Sequence, residues 1–73
     1  MQILRKGHVC EMTKVSNTNY ELYIDGDFCD ESSTSMIETI LGIKEYFNIY
    51  LDAVIQRYES KHDFQEALKQ LGW

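Results

Sequence analysis

A stripe of apolar residues through the second half of the chain sets the main constraint on how it can fold. Its members recur at alternating spacings of three and four residues, which is the period of one face of an α-helix: Met36, Ile40, Ile43, Phe47, Tyr50 or Leu51, Val54 and Tyr58. An unbroken helix over residues 35–59 would be about 37 Å long. A compact chain of 73 residues has a radius of gyration of only about 11 Å. We therefore expect this helix either to bend, near Gly42 or Asn48, or to pack against a second copy of the chain.

Capping signals predict where the helices begin and end. Ser35 and Glu38 have the spacing of a capping box, so we expect the long helix to begin at Ser35. Ser60 or Asp63 would cap a separate, short C-terminal helix. Its apolar face would consist of Phe64, Ala67, Leu68 and Leu71. Gly72 suits the left-handed position just past the end of that helix.

The first half of the chain has the features of a small antiparallel sheet. Residues rich in β-branched and aromatic side chains predict three strands, over residues 9–15, 20–24 and 27–29. Asp25-Gly26 is a strong signal for a two-residue hairpin, because both positions of such a turn need positive φ. Ile3 and Leu4 would either form a further strand or cover an edge of the sheet.

A register for the sheet follows if Val15 lies opposite Tyr20. Side chains alternate between the two faces of a strand, so this register places one apolar group on the outer face: Cys10, Met12, Tyr23 and Phe28. Cys10 and Cys29 then lie on opposite faces, and no disulfide is expected. One layer of helices covers one face of a sheet. The apolar outer face, Met12, Tyr23 and Phe28, is therefore a candidate partner site, unless the last helix or Trp73 wraps round to cover it.

The charge balance argues against direct contact with nucleic acids or membranes. The chain carries 12 acidic and 7 basic residues, a formal net charge of −5, and the basic residues are scattered. Binding to phosphates or to anionic lipid surfaces needs clustered Lys and Arg. No apolar run approaches the roughly 20 residues of a membrane-spanning helix, and no signal peptide is evident. We expect a cytoplasmic protein with reduced cysteines.

Neither a metal site nor a catalytic site is indicated by the sequence. His8, Cys10, Cys29 and His62 lack the paired spacing of structural zinc ligands. The acidic stretch over residues 25–31 departs from the spacing of a calcium-binding loop. No nucleophile motif and no glycine-rich phosphate loop is present. We therefore expect no cofactor and no enzymatic activity.

Five acidic residues recur at intervals of seven along the predicted helical region: Glu38, Glu45, Asp52, Glu59 and Glu66. On a continuous helix they would form a stripe of carboxylates on one face. The first four have no basic residue at the i+4 position. The stripe is either the solvated back of an amphipathic helix or a docking surface for a basic protein.

These features predict a single α+β domain over residues 1–73: a three-stranded antiparallel β-meander, a long helix, straight or kinked, and a short C-terminal helix. By exclusion, we expect a non-enzymatic protein-interaction or regulatory module. It would bind or occlude a protein partner through the acidic helix face or the apolar sheet face. One alternative is an acidic inhibitor of a nucleic-acid-binding protein or nuclease, such as the inhibitors of restriction or CRISPR effectors that phages encode. Another is the subunit of a structural homo-oligomer, with a homodimer as the simplest form.

Overall fold

The computed structural model describes residues 1–72 and has four strands followed by two helices. The elements are β1 (Gln2–Arg5), β2 (His8–Lys14), β3 (Asn19–Ile24), β4 (Asp27–Ser33), α1 (Thr34–Leu41) and α2 (Lys44–Gln70). The strands form one antiparallel sheet in the order β1-β2-β3-β4. The predicted α+β class, with an antiparallel sheet before a long helix, is confirmed. The predicted count of three strands is wrong, because residues around Ile3 and Leu4 form an additional edge strand.

Two tight hairpin turns of the same kind connect β1 to β2 and β3 to β4. Asp25 and Gly26 have φ of 52° and 86°, which confirms the predicted hairpin. Lys6 and Gly7 have φ of 51° and 78°. A two-residue turn with positive φ at both positions matches the twist of the flanking strands. The sequence signal for the first turn is weaker, because Lys is seldom found at positive φ, and a strand at Ile3 and Leu4 was therefore only one of two alternatives.

The pairing of β2 with β3 differs by one residue from the predicted register. Lys14, not Val15, lies opposite Tyr20, and Met12 lies opposite Leu22. A slip of one residue exchanges the faces of a strand. Met12 therefore points into the core, where it is only 4% exposed. The prediction that Met12 belongs to an outer apolar face is wrong, and burial of β2's apolar residues under the helices is the physical reason.

A bulge in β4 also changes the position of Cys29. Tyr23 lies opposite Phe28, as predicted, but Leu22 lies opposite Asp30, so Cys29 is an extra residue in the strand. Cys29 packs against the core on the helix side of the sheet, as does Cys10. The two thiols are free. The predicted placement of the two cysteines on opposite faces is wrong.

The core lies between the sheet and the two helices. The sheet contributes Cys10, Met12, Leu22 and Ile24, and the helices contribute Ile37, Phe47, Leu51, Val54 and Ile55. Most of the predicted apolar stripe does face this core. The packing occupies only the first half of α2, since Ile55 is its last buried residue.

The helical region bends at Gly42, one of the two positions predicted for a break. Ile43 has φ of −127° and ψ of 94°, an extended conformation that separates α1 from α2. Asn48 lies within α2. The first helix is capped by Ser33, whose Oγ accepts a hydrogen bond from the Met36 N–H at 3.2 Å. The capping box predicted at Ser35 is therefore wrong by two residues.

No separate C-terminal helix exists within residues 1–72, because α2 continues through Ser60 and Asp63 to Gln70. A helix is normally stopped by Gly or Pro, and neither occurs between Gly42 and Gly72. The 27-residue helix projects beyond the sheet and gives the molecule a length of 44 Å. Gly72 has the expected left-handed conformation, with φ of 86°. The predicted packing of Trp73 falls outside the described residues.

The start of α2 lacks a side-chain cap, which leads to a prediction on stability. Ile43 occupies the N-cap position and is 42% exposed, and its side chain supplies no capping hydrogen bond. Replacing Ile43 with Asp should stabilise the protein by about 1 kcal/mol, because a carboxylate there accepts from an unpaired backbone N–H. The midpoint of thermal unfolding, followed by circular dichroism, should rise by about 4–8 °C. Ile43→Ala is the matched control, and an equal rise in that variant would contradict the capping explanation.

Candidate functional site

The two helices cover one face of the sheet and leave the other face open. Because Cys10, Met12, Leu22 and Ile24 point toward the helices, the residues that alternate with them along each strand point away. We call this second surface the open sheet face. Its residues near the β1–β2 and β3–β4 turns are apolar: Leu4, Val9, Tyr23 and Phe28. The charged residues of the open sheet face are Glu11, Glu21 and Glu31.

The apolar residues of the open sheet face form a band that crosses all four strands. Leu4 is directly opposite Val9, and Tyr23 is directly opposite Phe28. The rings of Tyr23 and Phe28 pack edge to face, with centroids 5.8 Å apart at 74°. Leu4 is 75% exposed and Phe28 is 53% exposed. Aromatic and large aliphatic side chains in such a band are typical of the centre of a protein interface.

Three carboxylates lie beside this band, on three neighbouring strands. Glu11 is opposite Tyr23, and Glu21 is directly opposite Glu31. Like charges directly opposite each other destabilise a sheet. Each of the two carboxylates accepts one hydrogen bond from an uncharged donor. Glu21 accepts from the Tyr23 hydroxyl at 2.8 Å, and Glu31 accepts from the Asn19 side-chain amide at 2.6 Å. No Lys or Arg alternates onto this face within residues 1–72, so the local negative charge has no cation to balance it.

The carboxylates of the predicted helix stripe, in contrast, are mostly paired. Asp52 receives two hydrogen bonds from the guanidinium of Arg5, one of them 2.9 Å long, and lies 3.7 Å from the Lys6 ammonium. The hydrogen bond with Arg5 is the main reason why the pKa of Asp52 is lowered. Asp52 therefore holds the β1–β2 hairpin against α2 and is not available as a free docking charge.

The other acidic residues of that stripe fall in different environments. Glu38 lies on α1, beyond the bend, 3.9 Å from the Lys14 ammonium. Glu66 lies 3.7 Å from Lys69 on the same helix. Glu45 forms no ion pair with any described residue. The five carboxylates therefore do not form one continuous unpaired surface.

The remaining member of the stripe, Glu59, belongs to a clamp centred on a histidine, His8. The Nε2 atom of His8 lies 3.0 Å from Glu59 on α2, and its Nδ1 atom lies 2.6 Å from Asp25 in the β3–β4 turn. The Tyr58 ring packs edge-on against the imidazole, with centroids 5.6 Å apart. Protonated His8 donates to both carboxylates at once, whereas the neutral ring has only one N–H to donate. The hydrogen bond with Asp25, followed by that with Glu59, raises the pKa of His8 above its ordinary value of 6.5.

This clamp predicts a pH dependence of stability. Since the pKa of His8 is raised in the folded state, its contribution is complete below about pH 6.5 and is lost as the pH rises through the folded-state pKa. The pKa of Asp25 is lowered, chiefly by His8, so its contribution is lost on the acidic side, below about pH 4. Urea unfolding should therefore show greatest stability near pH 5–6. In His8→Gln most of the decline above that range should disappear.

His62 provides the matched control for the clamp. It stacks on Tyr58, with ring centroids 6.4 Å apart, and forms no ion pair within residues 1–72. His62→Gln should keep the alkaline decline of the parent protein. If both variants lost the decline equally, or if His8→Gln kept it, the clamp would not be its cause.

Of the residues predicted for an apolar partner site, the structure brings together Tyr23 and Phe28, and it places Met12 in the core. Sequence reasoning missed Leu4, Val9 and the three carboxylates of the open sheet face. With the observed register, simple alternation along β2 identifies Val9 and Glu11 as outward-facing, whereas Glu31 faces outward only because of the bulge in β4. Leu4 depends in addition on the existence of β1.

No protein-family model, no curated protein and no solved structure matches this chain. Within residues 1–72, no three side chains of His, Cys, Asp or Glu are grouped so as to hold a metal ion. Across the same residues, neither helix combines the length and the apolar character needed to cross a bilayer.

Proposed function

We propose that this protein is a non-enzymatic interaction module that binds a basic protein through its open sheet face. The observation that supports this most is the combination of an uncovered apolar band and three carboxylates on a surface without a cation. Elsewhere, Asp52, Glu59, Glu38 and Glu66 are engaged by cationic or histidine side chains of the chain itself.

Each part of the open sheet face has a distinct physical role in this proposal. Tyr23 and Phe28 are the anchors, because burying aromatic rings at the centre of an interface supplies most of the binding free energy. The carboxylates of Glu11, Glu21 and Glu31 steer a positively charged partner and fix its orientation. A cationic side chain of the partner placed between Glu21 and Glu31 would also relieve their mutual repulsion, which is present in the free protein.

A narrower form of the proposal concerns the kind of partner. Proteins that bind nucleic acids expose clustered Lys and Arg to contact phosphates. A surface with carboxylates on three adjacent strands and no cation fits such a cluster, and occupying it would block access of the nucleic acid. This supports the alternative of an acidic inhibitor of a nucleic-acid-binding protein, acting through the sheet and not through the helix stripe.

The proposal can be tested with random linear peptides displayed against the immobilised protein. We expect the enriched peptides to combine Lys or Arg with apolar residues. Their binding should weaken as salt increases, since salt screens exposed charges. In ¹⁵N-labelled protein the amide shifts should map to Val9, Glu11, Tyr23 and Phe28. The double variant Tyr23→Thr/Phe28→Ser should lose binding but remain folded, because both side chains lie outside the core.

Two outcomes would overturn the proposal. Enriched peptides without basic residues, or shifts confined to α2, would show that the open sheet face does not bind a basic partner. Light scattering that revealed a dimer broken by the double variant would show that a second copy of the chain occupies this face instead.

A further inference from the structure

A groove separates the beginning of β4 from the lateral side of α2. Its volume is about 410 Å³, within the roughly 300–1,000 Å³ range of small-molecule sites. The apolar part of its lining consists of the buried Val54 and the more exposed Phe28 and Tyr58. On α2 the polar part of the lining includes Arg57, Lys61 and His62. The groove thus combines flat apolar walls with a cluster of basic side chains.

Two cations in this groove have no acidic partner in the described chain. Arg5, Lys6, Lys14 and Lys69 all form ion pairs. Arg57 and Lys61 form none within residues 1–72, and neither does Lys44 at the far end of α2. They are four residues apart, so they lie on the same side of α2 and repel each other. Beside a groove with apolar lining, two neighbouring cations without an acidic partner among the described residues suit a ligand that carries a negative charge.

The acidic side chain in the lining does not supply that charge. Asp27 accepts a hydrogen bond from the Tyr58 hydroxyl at 3.0 Å and lies within the salt-bridge limit of neither Arg57 nor Lys61. This hydrogen bond also fixes the Tyr58 ring as a wall of the groove. His62, which also lines the groove, stacks on that ring with centroids 6.4 Å apart. The apolar walls are therefore held in place before any ligand binds.

We propose that this groove binds an aromatic carboxylate. The ring of the ligand lies against Phe28, Val54 and Tyr58, and its carboxylate accepts hydrogen bonds from Arg57 and Lys61. The planar guanidinium of Arg57 matches a carboxylate in geometry and can bind both of its oxygens. The inference does not rest on the function proposed for the open sheet face. Phe28, on the edge strand β4, borders both surfaces, but the charged residues that recognise the ligand lie on α2. Such a carboxylate can belong to a small aromatic acid or to a carboxyl-terminal aromatic residue of a peptide.

The experiment is a titration of the ¹⁵N-labelled protein with benzoate, N-acetylphenylalanine and the neutral analogue benzamide. At least one of the two acids should produce saturating shifts at the amides of Cys29, Val54 and Lys61. The tighter of the two identifies the source of the carboxylate, free acid or peptide end. Benzamide should bind at least about tenfold more weakly, because it lacks the charge that Arg57 and Lys61 recognise.

Three variants distinguish specific binding in this groove from nonspecific attraction of anions to the protein. Arg57→Gln should weaken acid binding by about tenfold or more, and Lys61→Gln should weaken it in the same direction. Lys44→Gln removes another cation that has no ion pair in the described chain, at the far end of α2, and should leave binding unchanged. Equal binding of benzamide, equal weakening by Lys44→Gln, or no saturating shift with either acid would each overturn the proposal.

Discussion

Replacing Ile24 with Ala should remove most of the free energy of unfolding of the protein. Ile24 is completely buried at the centre of a core of nine residues. Truncating a buried Ile to Ala costs about 2–5 kcal/mol. The core of a chain this small supplies only about 3–5 kcal/mol of net stability. The loss is therefore comparable with the whole free energy of unfolding.

Ile49→Ala is the matched control for this prediction. It removes the same atoms from a side chain that is 64% exposed on α2, so stability should change by less than about 0.5 kcal/mol. Urea unfolding followed by far-ultraviolet circular dichroism measures both variants. A transition midpoint for Ile24→Ala close to that of the parent protein would mean that a core other than the one between the sheet and α2 holds the fold together.

The outline of the fold could be predicted because local signals determine it. The Asp25-Gly26 turn requires positive φ at both positions, and the change of apolar spacing from two residues to three or four marks the passage from sheet to helix. The bend at Gly42 follows from the poor helix propensity of Gly and from the length of helix that a small sheet can cover. The strand β1 could not be inferred with the same strength, since Lys6-Gly7 is an uncommon pair for such a turn.

The register of β2 and β3 could not be fixed from the sequence, because the polar residues that connect them allow loops of more than one length. In the structure, the Ser16 hydroxyl accepts hydrogen bonds from the N–H groups of Thr18 and Asn19 and stabilises the observed turn. A shift of one residue moved Met12 from the outer face to the core. The choice between the two registers depends on which face the helices cover, which is a property of the whole molecule.

The unpaired carboxylates of the open sheet face also could not be predicted from the sequence. Inspection of the i+4 positions detects only ion pairs within one helix. Asp52, however, pairs with Arg5, which is 47 residues away along the chain. Glu59 likewise meets His8 across 51 residues. These long-range contacts engage two of the five carboxylates of the helix stripe. On the open sheet face, in contrast, Glu21 and Glu31 become neighbours only through strand pairing.

Replacing Glu31 with Lys should abolish most binding to a basic partner without destabilising the folded protein. Glu31 lies directly opposite Glu21, so the change turns a repulsive cross-strand pair into an attractive one. Such a pair is worth about 0.2–1 kcal/mol. The hydrogen bond from Asn19 is lost, but it lies on the exposed surface. The midpoint of urea unfolding should therefore rise slightly or stay unchanged.

Binding should respond in the opposite direction. A Lys at position 31 faces the cations of the partner, and a like charge within an interface weakens binding by about tenfold or more. The basic peptides selected on the open sheet face provide the measurement, by calorimetry or fluorescence anisotropy. Glu45→Lys makes the same change in net charge on an α2 carboxylate that has no ion pair in the described chain, and it should leave the affinity nearly unchanged. Glu31 lowers the stability of the free protein through its repulsion of Glu21. Residues that lower stability in this way are expected at surfaces that serve binding. Equal losses of affinity in the two variants would show that net charge alone governs binding, whereas a loss confined to Glu31→Lys locates the partner on the sheet.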